Sequence, residues 1–471
     1  MRFNLNHIIR ALAILPLMLF FFSCATYNQR ITAYYSSMAQ QDFTLAEKHL
    51  DKNKLLKAPR NRLLYLLEKG KLAHLMKEYE KSNALLNEAD LYMEDARTSA
   101  KDIAMGTLLN PMMQTYKGEA FEQFMVHYYK AMNYLHLGKL NEALVEARRI
   151  SLRSYELQDA VKESKYADDA FSLMLQGLIY EKAGDINNSF IAYRNSAEIF
   201  IRNNYVYYDV RMPEQLKHDL LRTAYLNGFY DVVERYENIF SMDYVPSADT
   251  LAPGGELVLF WENGMAPVKH EQQYFFTLNK NGSGNFVFTD ATGGLNIPFY
   301  SGLKFDPGES GLDGIRSYRV AFPKYVEQPV EFNRAIASVN DTRYPLELTE
   351  SINALAFASL RERFLKEMTL TLSRLAVKKL AEYAARPKED DKNKKEKEAL
   401  AMAVQIFNFA SEKADTRNWQ SLPHSIHYVR LPLKPGQNTV SLELLGLSSR
   451  KIDLNIMGQG GIQVLNLCTL L

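Results

Sequence analysis

The sequence predicts an α+β protein. An N-terminal array of paired helices comes first, and a β-rich half interrupted by a helical hairpin follows. Three observations carry this. From about Ile31 to Phe240 apolar residues recur at i, i+3, i+4 and i+7, and Gly and Pro are scarce, which is the periodicity of amphipathic helices. At Tyr244-Val245-Pro246-Ser247-Ala248-Asp249, followed by Pro253-Gly254-Gly255, the pattern breaks. Beyond it the apolar runs are short and bounded by turn residues, as strands are.

Composition narrows the function class. The chain has 471 residues, 56 Lys+Arg against 55 Asp+Glu, a net charge of +1 and two Cys. Neutralising many phosphates needs a basic excess, so nucleic acid is not expected as a partner. With 12% aromatic and 24% charged residues the chain can build large cores and is not disordered as a whole. Two Cys make neither a disulfide scaffold nor a Cys-rich zinc site.

Residues 1–23 read as a leader. Arg2 and Arg10 precede the apolar run Ala11 to Phe22, which is too short to span a ~30 Å hydrocarbon core as a helix. The run ends at Phe21-Phe22-Ser23-Cys24, which resembles the lipobox of bacterial lipoproteins, so Cys24 is the expected lipidation site. Ala25 is not the Asp that retains some lipoproteins in the inner membrane, and no acidic cluster follows Cys24. The expected location is therefore the outer membrane with the body facing the periplasm. Cys468, among Val464, Leu465, Leu467 and Leu470, reads as an inert thiol in a strand.

Residues 24–245 form the helical domain. Within it Ala131, Tyr134, Gly138 and Ala143 have the spacing of a helix–turn–helix repeat, and Gly177, Tyr180, Gly184 and Ser189 repeat that register. Ala224, Gly228 and Val233 give a looser copy. Gly70, Ala73, Ser82 and Ala89 give an earlier one without a turn glycine. Small residues let two antiparallel helices approach, and Gly ends the first helix at little cost. This layout resembles the tetratricopeptide repeat, with an irregular all-helical bundle as the alternative. In such a repeat the first helix of each pair lines a concave groove. By register Tyr128, Leu135 and His136, then Met174, Glu181 and Lys182, then Arg222 and Tyr225 face it, the alternative being that several of them face a neighbouring helix or the β domain. Mixed aromatic and charged residues suit an extended peptide.

Residues 250–471 form the β-rich domain. Leu257 to Trp261, Tyr274 to Leu278, Asn285 to Thr289, Ile315 to Phe322 and Val330 to Val339 are its first predicted strands, with Asn279-Lys280-Asn281-Gly282 as a hairpin turn. A helical insertion at about 350–413 contains a mixed charge run. Ser425 to Pro432, Thr439 to Leu445, Lys451 to Ile456 and Ile462 to Leu467 complete the strands.

Three segments together resemble a family of bacterial lipoproteins. They are Tyr116 to Glu122 leading into Tyr129 to Leu135 and Glu146 to Arg149; Trp261 to Lys269; and Ala414 to Pro423. The resemblance implies a lipoprotein with a tetratricopeptide-like half, a β-rich half and no assigned activity. In some genomes the family neighbours activators of cell-wall synthases, which points to a pathway and not to a role for this chain.

Few residues invite chemistry. His424 and His427 are the only close His pair, but i and i+3 on a strand point to opposite faces. No phosphate loop, HExxH or nucleophile elbow is present, so no catalytic residue, metal or cofactor is expected. Asp415, Arg417 and Trp419 form the most functional-looking group. The structural reading pairs Asp415 with Arg417 or makes it a helix cap, and lets Trp419 wedge the helical hairpin onto the β domain. Glu262 to Lys269 reads as a tight loop in which Gly264 allows positive φ and Pro267 stiffens the exit, or more sharply as a peptide-binding loop. The expected function is a lipid-anchored scaffold holding an envelope protein or peptide in the helical groove, in cell-wall assembly. The alternative is a surface glycan-binding lipoprotein, which needs exposed Trp platforms.

Overall fold

The protein is described by a computed structural model covering residues 27–95, 111–160, 169–246, 252–280, 286–298, 318–384 and 412–471. The expected leader and Cys24 lie outside the described residues, as do residues 281–285, part of the expected hairpin turn, and residues 385–411, with the charge run and the expected second helix of the insertion. Among the described residues the N-terminal half holds five helical pairs: α1 (Tyr27–Ala39) with α2 (Phe43–Lys52), α3 (Arg62–Leu75) with α4 (Tyr79–Asp95), α5 (Ala120–His136) with α6 (Leu140–Ala160), α7 (Ala170–Lys182) with α8 (Ile186–Arg202), and α9 (Glu214–Leu226) with α10 (Tyr230–Phe240).

The turns inside the pairs share one geometry. Gly138, Gly184 and Gly228 have φ of 68°, 77° and 76°, the left-handed region. Each donates to a carbonyl three residues back, while the next residue donates to one five back, as in Lys139 N to Tyr134 O at 2.8 Å. The two N-terminal pairs close the same way with Gln41 and Lys77 in the left-handed position, at φ 58° and 61°. This explains why the earlier copy lacks its glycine. Inside the pairs, a Cβ on Gly177 would sit 2.6 Å from the Tyr193 ring, and one on Gly70 2.7 Å from Leu86. The same register ties the helices across: Ser82 Oγ donates to Gly70 O and Ser189 Oγ to Gly177 O, both at 2.8 Å.

A small hairpin, β1 (Val206–Tyr207) and β2 (Val210–Arg211), follows α8. Among its described residues the β-rich half then builds three sheets. The central one has the order β10 (Glu347–Ser351), β11 (Ser425–Pro432), β3 (Glu256–Asn263), β14 (Ile462–Thr469), with β14 parallel to β3. The second has the order β13 (Ser449–Gly458), β12 (Gly436–Gly446), β8 (Phe332–Val339), β9 (Thr342–Pro345). The third joins β6 (Asn296–Pro298), β5 (Phe286–Asp290), β4 (Val268–Lys280) and β7 (Tyr318–Val326). Strands from before and after the insertion pair with each other, β3 with β11 and β8 with β12.

The central sheet is covered on both faces, which is why β3 and β11 are buried almost throughout. Leu257, Leu259, Trp261, Val429 and Leu431 face the second sheet and form one core with Val440, Leu442 and Leu444. Val258, Phe260, Ile426 and Tyr428 face the helices and join a core running from Tyr27 to Leu470. The third sheet packs on α11 (Ile352–Ala384), where Phe364 meets Tyr274 and Phe322 edge-on.

Candidate functional site: a buried polar seam

The helix-facing side of the central sheet places a row of polar groups against the inner face of the array. Alternation along β3 puts Glu262 on the same side as Phe260, at the strand end where the apolar run stops. Its side chain is fully buried and meets four donors. Tyr128 Oη donates to Oε1 at 3.0 Å and Asn466 Nδ2 to Oε1 at 2.6 Å. Tyr129 Oη donates to Oε2 at 2.8 Å, and the Lys71 ammonium makes an ion pair with Oε2. Burial pushes this carboxyl up, but Lys71, His74 and the donors outweigh it and hold it at about 2.

Around Glu262 the polar valences close. Asn466 spends its second N–H on His74 Nε2 at 2.9 Å, and its oxygen faces His136 Nε2 at 2.7 Å. His74 Nδ1 lies 2.6 Å from Asn133 Oδ1. An Nε2 that accepts and an Nδ1 that donates define the neutral tautomer. Burial first, then the Lys71 charge, lower its pKa to about 4. Cys468, beside Glu262 on β14, is pushed up to about 12 by burial, so its thiolate is not available as a nucleophile.

A second cluster joins α7 and α9 to β11. Arg430 donates to Glu181 at 2.9 Å and Asp219 at 2.8 Å and pairs with Glu256. Arg222 donates to the same Glu181 and Asp219 at 2.8 and 2.7 Å. A third is formed by the Asp415 segment. Arg417 is gripped bidentately by Asp415 at 2.6 and 2.8 Å and donates to Asn61 Oδ1 at 2.8 Å and Gln114 O at 2.9 Å. Trp419 N donates to Glu122 Oε1 at 2.8 Å, and its ring lies 5.9 Å from Tyr129. Asn418 Nδ2 donates to Pro267 O at 2.8 Å, and Lys269 pairs with Glu119. Glu122, buried beside Glu119, is raised to about 7 by burial and that neighbouring charge. The three separate segments of the motif therefore meet in one place.

These positions correct two expectations. The groove is not open. Tyr128, His136, Glu181 and Lys182 bond to the chain's own sheet, Lys182 donating to Ile462 O, and Arg222 is buried against Glu181 and Asp219, which Arg430 holds. The physical reason is the central sheet, whose apolar face needs a cover that only the array supplies. Of the six, Tyr225 is exposed. Between Glu262 and Lys269, which sit at strand ends, the chain makes the expected tight loop, with Gly264 at φ 65°. Trp419 docks on the helical array through Tyr129, where a wedge under the helical insertion was expected.

Metal chemistry finds a poor home. Among the described residues Asp90, His127 and Glu146 are close enough to share an ion. Lys130 Nζ already sits 2.9 Å from Asp90 and 3.0 Å from Glu146, and Arg149 adds a pair at 2.6 Å. A divalent ion would have to displace that ammonium. His427 stacks by Trp261, while His424 faces Glu327, so the two do not converge. No described helix is long and apolar enough to cross a membrane.

No protein-family model and no curated protein matches the chain. Among solved structures, the apo form of RapI aligns at 13% identity over 50% of this chain, with a TM-score of 0.33. The alignment spans 58% of that protein's length.

Proposed function

We propose that the chain is a lipid-anchored envelope protein that acts by holding a protein partner, in cell-wall assembly, and catalyses no reaction. Its inner groove is spent on holding the β half, so the partner engages the outside of the array. The observation that carries this is an aromatic knuckle at the α9–α10 turn. Tyr225, Leu226 and Tyr230 are 38%, 58% and 64% exposed. The Tyr225 ring lies 5.5 Å from Tyr230 and 5.9 Å from Tyr244, and exposed Val245 extends the apolar surface. Clustered tyrosines are the side chains that anchor protein interfaces. The leader and Cys24 support an outer-membrane anchor with a periplasm-facing body. A glycan-binding role has lost its footing, since both Trp261 and Trp419 are fully buried.

The test is an in-cell crosslinking pull-down of the full chain, with Cys24→Ala as the mislocalised control. Recovery of one envelope protein, lost in the Tyr225→Ser/Tyr230→Ser chain, supports the reading. Recovery unchanged by those substitutions, or retention on polysaccharide with no protein recovered, overturns it.

A further inference from the structure

The N-terminal pair carries a feature the seam does not use. A cavity of about 320 Å³ opens between α1 and α2, lined by Arg30, His49, Lys52, Asn53 and Lys54 among others and by no carboxylate. From Tyr27 to Arg62 the sequence has seven Lys/Arg against three Asp/Glu. Two of those three are engaged away from the cavity: Glu47 with Lys81 at 2.9 Å, and Asp51 with Lys69 at 2.7 Å. Lys52 and Lys54 are exposed and make no ion pair among the described residues. Arg60, one turn beyond, has a buried Nε without a hydrogen-bond partner, and burial together with Arg417 and Arg30 lowers its pKa. The cavity lining is thus basic, although the whole chain is nearly neutral.

Position gives this cavity a purpose. Two residues separate Cys24 from the first residue of α1, three chain steps or at most about 10 Å of extended chain, and Arg30 lies one helical turn further. A chain anchored at Cys24 holds the cavity against the bilayer surface, within about two screening lengths of its headgroups. We infer that this cavity is a phosphate-binding site for the headgroups of anionic phospholipids, which orients the body on the membrane that holds it. The inference rests on the lipid-anchor reading for its geometry. The shared chemistry is a phosphate oxyanion held by Arg30, Lys52 and Lys54, with His49 in the lining.

The test uses the unlipidated chain from Ala25 onward, which keeps every described residue and does not depend on Cys24. Co-sedimentation is measured with vesicles of phosphatidylglycerol in phosphatidylcholine and with phosphatidylcholine alone. Expected is binding to the anionic vesicles only, weakened by salt. The Arg30→Gln/Lys52→Gln/Lys54→Gln chain should bind roughly 100-fold more weakly, about fivefold per charge. Removing three charges elsewhere, by Arg343→Gln/Arg450→Gln/Lys451→Gln, should change it less than threefold. Equal losses in the two triples, or no binding to anionic vesicles, overturn the proposal. So does saturable binding of inorganic phosphate without vesicle binding, which would assign the site to free phosphate. Mass spectrometry of Cys24 from cells reports separately on the anchor, so the two readings fail by different results.

Discussion

Glu262 shows how one residue joins two halves of a chain. Its carboxylate is fully buried, so its charge depends on Lys71, Tyr128, Tyr129 and Asn466. Removing one member leaves a buried charge unpaired, which costs about 3–5 kcal/mol, whereas replacing both charges by apolar groups of similar volume is far less harmful. Lys71→Met should therefore lower the urea-unfolding free energy by that amount, and Lys71→Met/Glu262→Leu should recover most of it. Equal losses in the single and double variants would contradict the pairing. His74 sets a pH dependence. Its folded pKa of about 4 lies below the unfolded 6.5, so between these values only the unfolded chain binds the proton. The stability it contributes is present above pH 6.5 and falls as pH drops toward 4, by about 3 kcal/mol in all. Glu122 opposes it: raised to about 7 from 4.5, it contributes stability that is complete below 4.5 and is lost as pH rises through 7. A Glu122→Gln chain removes that opposition and should lose stability steadily from pH 6.5 to 4. An NMR titration should find the His74 ring neutral down to about pH 4, and a midpoint near 6.5 would contradict the seam.

Among the elements, the helical pairs follow from small residues and turn geometry. Gly177→Ala places a methyl 2.6 Å from the Tyr193 ring and should destabilise by about 1–3 kcal/mol through overpacking. Gly138→Ala meets no atom within 4 Å, so its cost is the left-handed backbone alone, about 1 kcal/mol. Lys77→Gly is the converse, relieving a non-glycine residue at φ 61°, and should stabilise by up to about 1 kcal/mol. Thermal unfolding of the three chains ranks them. These elements were legible because their signals are local: a small residue three before a Tyr, a Gly four after it, apolar runs between turns. The β1–β2 hairpin was not legible, because two-residue strands carry no periodicity; only Tyr208-Asp209, both at positive φ, marks its turn. The left-handed Gln41 and Lys77 were missed for the same reason, being residues that do not advertise a turn.

For the molecule as a whole, the seam was half legible. Tyr128, His136, Glu181, Lys182 and Arg222 were found by repeat register, and Glu262, Lys269, Asp415, Arg417 and Trp419 by their grouping in sequence. What no local pattern contains is that these two sets are each other's partners, across separations such as the 133 residues between Tyr129 and Glu262. A buried charged residue at the end of an apolar strand, as in Leu257 to Glu262, is the one signal that asks for a partner elsewhere. The consequence is that a surface which resembles an open peptide groove is interior, which leaves the exposed aromatic knuckle at Tyr225 and Tyr230 as the proposed partner surface. The most direct test is site-specific photo-crosslinking in cells, with a photoreactive side chain placed either at Lys182, on the sheet-facing side, or at Tyr230. The account predicts an adduct with a second protein from position 230, and none from position 182. An intermolecular adduct from 182 and none from 230 would contradict it, and would return the partner to the groove.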